Sequence, residues 1–240
     1  MLVRNINVIC IPFAGGNKYS LRQVFHTTPG FMNVITLELP GRGRRVGEPL
    51  LMDVEMMVDD LYSQVLPYIE SGYILYGHSM GALLAFLLTR KIIREHNYPP
   101  LNLFVSGFAG PSIRQDSEQH KLPKGEFLKM LRDLGGLPDE LLSDEKLLDF
   151  YYPIIRADFK AIETYRYEVD EPLPVPIFVM AGSHEDISDE EMEAWAGETR
   201  FPLSTRRFYG RHFFIFEHAD SIIEVILKHA NIPAAFEPKK

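Results

Sequence analysis

The run Tyr73-Ile74-Leu75-Tyr76-Gly77-His78-Ser79-Met80-Gly81-Ala82-Leu83-Leu84-Ala85-Phe86-Leu87-Leu88 changes periodicity in its middle. Residues 73–76 are a short apolar stretch bounded by glycine, as a buried strand is, and residues 82–95 are a longer, mostly apolar run, as a buried helix is. Gly77 to Gly81 joins them and fits Gly-x-Ser-x-Gly in the strand, sharp turn, helix setting that a nucleophile elbow needs. The glycines have a physical reason. A serine hydroxyl that must project above a sheet sits in a strained turn, where side chains at Gly77 and Gly81 would strike neighbouring backbone. The helix that follows brings unpaired N–H groups beneath Ser79, and these favour developing negative charge. The pattern alone is weak, since serine between glycines is common in loops, but the flanking strand and helix make Ser79 the candidate nucleophile. Cys10, the single cysteine, is the rival thiol, yet it lies inside a strand pattern as a core residue.

Working outward, strand-like runs alternate with helical ones. Strands are expected at residues 7–12, 34–39, 101–107, 176–181 and 204–209 besides the one before Ser79. Met56, Val58, Leu61, Val65 and Ile69 recur at roughly helical spacing, so residues 53–69 read as an amphipathic crossover helix. Ile222, Ile223, Val225, Ile226 and Leu227 lie on a closing helix. This order predicts a mostly parallel sheet with helices on both faces. Residues 111–168 break the alternation. They hold two apolar helical patterns, Phe127, Leu128, Met130, Leu131, Leu134 and Leu148, Tyr151, Ile155, Phe159, Ile162, separated by Gly135, Gly136 and Pro138. Such an insertion between sheet strands is expected to be a helical lid over the sheet's carboxyl edge, where α/β folds bind ligands, within one domain covering residues 1–240.

Elbows of this kind place their partners in the chain order nucleophile, acid, histidine. Of eight histidines, His212 follows the last expected strand at its carboxyl end, where a base must lie to reach Ser79. His78 abuts the nucleophile but points elsewhere in such a turn. His26, His96 and His120 lie outside the final strand region, and His218 and His229 belong to the closing helix. The acid belongs on the loop Gly182-Ser183-His184-Glu185-Asp186-Ile187-Ser188, where Glu185 and Asp186 compete, because either residue type serves in such triads; Asp116 is a more distant candidate. An oxyanion hole needs two backbone donors. Met80, directly after the nucleophile, supplies one, and the small-residue turn Pro12-Phe13-Ala14-Gly15-Gly16 the other, with Ala14 favoured over Phe13.

Composition narrows the remaining classes. The chain has 240 residues, 46% of them apolar and 24% charged, with a formal net charge of −8. That excludes disorder and disfavours nucleic-acid or anionic-membrane binding, which need a basic face. One cysteine rules out a disulfide framework or a cysteine metal cluster, and no metal is expected. No apolar stretch approaches the ~20 residues of a membrane span, and the alternating start is not that of a signal peptide. A cytoplasmic monomer is expected.

With these motifs in place, the sequence resembles the type II (external, stand-alone) thioesterases of nonribosomal peptide and polyketide synthesis, a branch of the α/β-hydrolases. The resemblance spans nearly the whole chain: Pro12-Phe13-Ala14-Gly15-Gly16, Leu39-Pro40-Gly41-Arg42-Gly43, Gly77-His78-Ser79-Met80-Gly81, Leu134-Gly135-Gly136-Leu137-Pro138, Ile154-Ile155-Arg156-Ala157-Asp158-Phe159 and Gly210-Arg211-His212-Phe213-Phe214. The motifs within the lid are the distinctive ones, since generic hydrolases share the elbow but not these helices. The family pattern implies Ser79 as nucleophile, His212 as base, and Met80 and Ala14 as oxyanion donors. It implies hydrolysis of acyl, aminoacyl or peptidyl thioesters from the phosphopantetheine arm of carrier proteins, with no cofactor beyond the arm that the substrate brings.

Two departures stand out. Arg211 replaces the usual glycine before the histidine, where it could crowd or charge the entrance. Glu185 occupies the place of the family's aspartate, while Asp186 fits by residue type with a one-residue insertion. Apolar residues of the lid such as Phe127, Met130, Leu131, Phe150, Ile154 and Phe159 are candidates to shape an acyl pocket. Carrier proteins are commonly acidic, so a −8 enzyme calls for a local basic spot, for which Arg42, Arg44 and Arg45 are candidates. The other readings are an esterase or acyl-CoA thioesterase acting on free small molecules, and a non-catalytic α/β-hydrolase that only binds carriers or ligands.

Overall fold

The computed structural model describes residues 5–70, 72–113, 117–135 and 144–230. Asp116, Gly136, Leu137 and Pro138 lie outside the described residues. Six strands form one sheet: β1 (Ile6–Ile11), β2 (Met32–Thr36), β3 (Tyr73–His78), β4 (Leu103–Ser106), β5 (Ile177–Gly182) and β6 (Ser204–Phe208). They lie in the order β2-β1-β3-β4-β5-β6, and all five pairings are parallel. Every residue of β3, β4 and β5 is buried. This is why their sequences are continuous apolar runs rather than alternating ones, since a parallel sheet is covered on both faces.

Helices α1 (Val54–Val65) and α2 (Met80–Arg94) cover one face. There Met57, Leu61 and Val65 pack with Leu84, Leu88, Leu75 and Val105 in one core. The Asp53 side chain opens α1 by accepting the Met56 N–H at 3.0 Å, satisfying a donor that the first turn leaves free. On the other face, Ile222, Ile223 and Ile226 of α7 (Ala219–His229) pack with Leu21, Val24 and Phe25 against Ile74, Tyr76 and Phe178. Most element boundaries shift by one to three residues from the sequence reading, and two of the shifts are instructive. Helix α1 stops at Val65 and gives way to a short turn, Leu66–Tyr68, because Pro67 has no N–H to continue the ladder. Strand β2 ends at Thr36; one more ladder bond, Leu37 N–H to the Cys10 carbonyl, follows before the chain turns out towards Pro40.

Between β4 and β5 the chain supplies α3 (Lys124–Leu134) and α4 (Glu145–Thr164). Phe127, Leu131 and Ile155 form a small core of their own between these helices. Gly135, at φ 80°, ends α3 in the left-handed conformation that glycine adopts without a Cβ clash. The remaining short helices are α5 (Asp189–Glu193) and α6 (Phe214–Glu217). The sheet order has a topological consequence. The chain leaves β1 towards β2 and then crosses back to β3, so a crevice opens at the carboxyl ends of β1 and β3. Ligand sites of open parallel sheets lie at such a switch point.

Candidate active site

Ser79 follows β3 at that switch point, with φ 56° and ψ −123°. Few L-residues adopt this backbone state, which costs on the order of 1–3 kcal/mol and persists only where the surroundings enforce it. Here the surroundings are visible. The Ser79 N–H is bonded to the Ser106 carbonyl at 2.8 Å. A Cβ on Gly77 would overlap the Gly81 carbonyl, and one on Gly81 would overlap the Ile11 and Pro12 carbonyls. The first turn of α2 therefore sits directly on the ends of β3 and β1, and any larger residue at either position would push the serine out of place. His78, as expected, turns into the core: fully buried, with Nδ1 2.9 Å from Ser106 Oγ. Burial, and then the neighbouring His212, push its pKa well below the usual imidazole value, so its ring is neutral. Cys10 is buried in β1, and burial drives its thiol pKa upward, away from thiolate chemistry.

His212 lies just after β6, on a loop joined to the acidic loop by the bonds His184 N–H to Gly210 O (2.9 Å) and Ser183 N–H to Phe208 O (2.7 Å). Its Nδ1 lies 2.5 Å from Glu185 Oε1. A carboxylate only accepts, so Nδ1 holds the proton and Nε2 is left as the acceptor. The other Glu185 oxygen accepts the Gly182 N–H at 2.6 Å, so the carboxylate is held at both ends. Its side chain is 4% exposed and that of His212 is 11% exposed. Asp186, the competing carboxylate, is exposed and makes no such contact. The sequence left these two adjacent acids open; the loop geometry brings Glu185 to the imidazole.

The turn after β1, where the sequence places an oxyanion donor, has an anchor that sequence reasoning missed. Gly16 N–H is spent on the Phe13 carbonyl, and Gly15 N–H donates to Asp158 Oδ2 at 2.7 Å. No hydrogen bond occupies the Ala14 or Met80 N–H among the described residues, and Ala14 shares a cavity with Ser79 while Phe13 does not. The Phe13 ring instead packs edge-on against Phe213, 4.9 Å away. Asp158 comes from α4 and is fully buried. It forms a two-pronged ion pair with Arg42, at 2.5 and 2.7 Å. The lid, the turn after β1 and the loop after β2 are thus tied at one carboxylate. This corrects the expectation that Arg42 offers a surface cation, because it is 1% exposed. Arg45 is likewise engaged, with Glu48 and Asp60, and only Arg44 of the three is exposed without an ion pair among the described residues.

Ser79, His212, Glu185 and Ala14 line one cavity of about 630 Å³, to which Met130 and Leu134 of α3 and Phe159 and Ile162 of α4 also contribute walls. Of the lid residues proposed from sequence as pocket walls, Met130 and Phe159 are in this lining. Phe127, Leu131 and Ile154 are buried within the lid instead, and Phe150 is exposed. Arg211 is exposed and lines neither this cavity nor the neighbouring one beside Ala14. Ser79 makes no side-chain hydrogen bond among the described residues. Catalytic hydrogen bonds commonly tighten only when substrate is present. No group of three or more histidine, cysteine, aspartate or glutamate side chains able to hold a metal occurs among the described residues. No helix there is long and apolar enough to cross a membrane.

Comparison with known proteins agrees with this geometry. Residues 7–229 match the thioesterase domain family. The chain is 34% identical over 234 residues to the gramicidin S biosynthesis protein GrsT of Aneurinibacillus migulanus, covering 96% of this chain and 91% of that protein. Among solved structures it is similar to RedJ, a thioesterase from the prodiginine biosynthetic pathway in Streptomyces coelicolor (TM-score 0.88, 29% identity, 93% and 90% of the two chains). It is also similar to BorB, the type II thioesterase of the borrelidin biosynthetic cluster (TM-score 0.86, 31% identity, 96% and 97%). With an elbow serine, a carboxylate-bound histidine and a helical lid arranged around one cavity, and with a match running almost end to end, this chain belongs to the thioesterase family.

Proposed function

We propose that the protein is an α/β-hydrolase that releases acyl, aminoacyl or peptidyl groups from the phosphopantetheine arm of carrier proteins in nonribosomal peptide and polyketide synthesis. In this reading Ser79 is the nucleophile, His212 the general base, Glu185 the acid that orients it, and the N–H groups of Met80 and Ala14 the oxyanion donors. His212 Nε2 takes the Ser79 proton as Oγ attacks the thioester carbonyl. The carbonyl oxygen, now negative, meets two N–H groups that no hydrogen bond occupies among the described residues. Collapse expels the pantetheine thiolate, a good leaving group since a free thiol has a pKa near 8.5, and His212 returns the proton to it. The base then deprotonates water, which attacks the acyl-serine and frees the carboxylic acid. Glu185 keeps Nδ1 protonated and stabilises the imidazolium formed in each half. The chemistry calls on no metal or organic cofactor, and the enzyme works as a soluble cytoplasmic monomer of one domain with residues 111–168 as its lid.

The observation that supports this most is the joint placement in one cavity of a serine on an enforced positive-φ turn and an imidazole bonded to Glu185. The carrier-bound substrate is favoured by the biosynthetic setting of the related proteins GrsT, RedJ and BorB. The test compares kcat/KM for one acyl group presented on a carrier protein, on coenzyme A and on N-acetylcysteamine. A clear preference for the carrier form is expected. Equal values on all three would move the assignment to a hydrolase of free small thioesters, and a Ser79→Ala variant of undiminished activity would remove the serine from the reaction.

A further inference from the structure

A second cavity, of about 830 Å³, lies on the other side of the oxyanion turn. Ala14 lines both it and the Ser79 cavity, so the two lie against the same residue of the turn after β1. Its lining includes Phe13, Tyr151 and Phe213 together with Tyr19 and Arg22, both exposed. There three cations gather around one aromatic ring. The Tyr19 ring, 47% exposed, has Lys18 Nζ 4.9 Å and Arg22 Cζ 5.4 Å from its centroid. Arg44 and Lys18 beside its hydroxyl draw the Tyr19 pKa below its ordinary value. None of the three cations has an ion-pair partner among the described residues.

The group is also held in place. Glu38, 5% exposed, spends its two carboxylate oxygens on backbone, accepting Lys18 N–H at 3.0 Å and Arg44 N–H at 2.9 Å. One buried carboxylate thus fixes two distant stretches of chain side by side, with the half-buried Lys18 and the exposed Arg44 both beside the Tyr19 hydroxyl. Arg45, next to this group, is already neutralised by Glu48 and Asp60.

A thioester held at Ser79 has two ends to accommodate. The cavity under α3 and α4 suits the acyl end, and the groove past Ala14 suits the thin pantetheine arm, which ends in a phosphodiester. We propose that Lys18, Arg22 and Arg44, gathered around Tyr19, form the docking surface for the carrier protein and grip the phosphodiester at the root of its arm. This rests on the carrier-protein reading of the function. Arginine and lysine suit phosphate oxygens through charge-assisted hydrogen bonds. A basic spot on an otherwise negative protein also orients an anionic partner during approach.

The test replaces all three cations, Lys18→Gln, Arg22→Gln and Arg44→Gln, and measures kcat/KM for the same acyl group on a carrier protein and on N-acetylcysteamine, which has neither phosphate nor protein. The carrier value is expected to fall at least about tenfold, mainly through KM, with the gap narrowing as salt is raised. The N-acetylcysteamine value should stay unchanged. An unchanged carrier value overturns the docking surface, and so does an equal fall on both substrates, which would mark a structural role. Wild-type enzyme with no preference for the carrier form would instead refute the underlying function, and the docking surface with it.

Discussion

Two carboxylates stand side by side after β5, and only one reaches the imidazole. Residue type and spacing left Glu185 and Asp186 equally eligible, because the choice depends on how the loop bends, and that is set by partners far along the chain. Ser183 is bonded to Phe208 at the end of β6 and His184 to Gly210 on the histidine loop, while Gly182 N–H pins the second Glu185 oxygen. Glu185→Gln should therefore lose on the order of 10⁴ in kcat, as removal of a triad carboxylate does, and Asp186→Asn should stay near wild type. Steady-state rates of the two variants on one thioester check this, and the reverse ranking would make Asp186 the acid. Arg42 shows the same limit on reading a sequence. In the run Pro40-Gly41-Arg42-Gly43-Arg44-Arg45 all three arginines look alike, and what buries the first is Asp158, 116 residues later. Ser79, by contrast, was legible, because the glycines that force its turn are its immediate neighbours.

At the scale of elements, six strands and both lid helices could be read from hydrophobic runs, with boundaries moving by a few residues where Pro67 or a turn intervened. What the runs could not convey is how the lid is fixed to the sheet. Asp158 does this from the middle of α4, holding Arg42 through two bonds and Gly15 through a third. Asp158→Asn keeps an acceptor for Gly15 but removes the charge facing a buried guanidinium. Breaking a buried pair from one side typically costs about 3–5 kcal/mol. A fall of that size in unfolding free energy, read from the urea midpoint, is expected together with a lower kcat, because the side chain that accepts the Gly15 N–H beside Ala14 is no longer fixed by a charged pair with Arg42. A variant as stable as wild type would show that the tie contributes little.

For the whole molecule, the parallel sheet with its switch between β1 and β3 gathers groups distant in sequence at one edge. It also buries His78 as a neutral ring between the elbow and His212. The sign of the resulting pH dependence follows from linkage. Unfolded, this histidine takes up a proton near its ordinary value of 6.5; folded, it resists until a much lower pH. The unfolded state therefore binds more protons as pH falls below 6.5, and stability is lost in that direction, by up to about 1.4 kcal/mol per pH unit from this one group. Urea midpoints between pH 7 and 5 should fall more steeply for wild type than for His78→Gln. Identical slopes would mean that the ring is not held neutral.

The central claim is that the Ser79 hydroxyl takes the acyl group from the thioester before water does. Rapid quenching of enzyme with a carrier-bound thioester in acid, followed by peptide mass spectrometry, tests it directly. The account predicts one acyl mass increment on the peptide that contains Ser79, absent from Ser79→Ala, which should also lose hydrolysis. Acyl transfer to another residue, or turnover by Ser79→Ala at the wild-type rate, would contradict it.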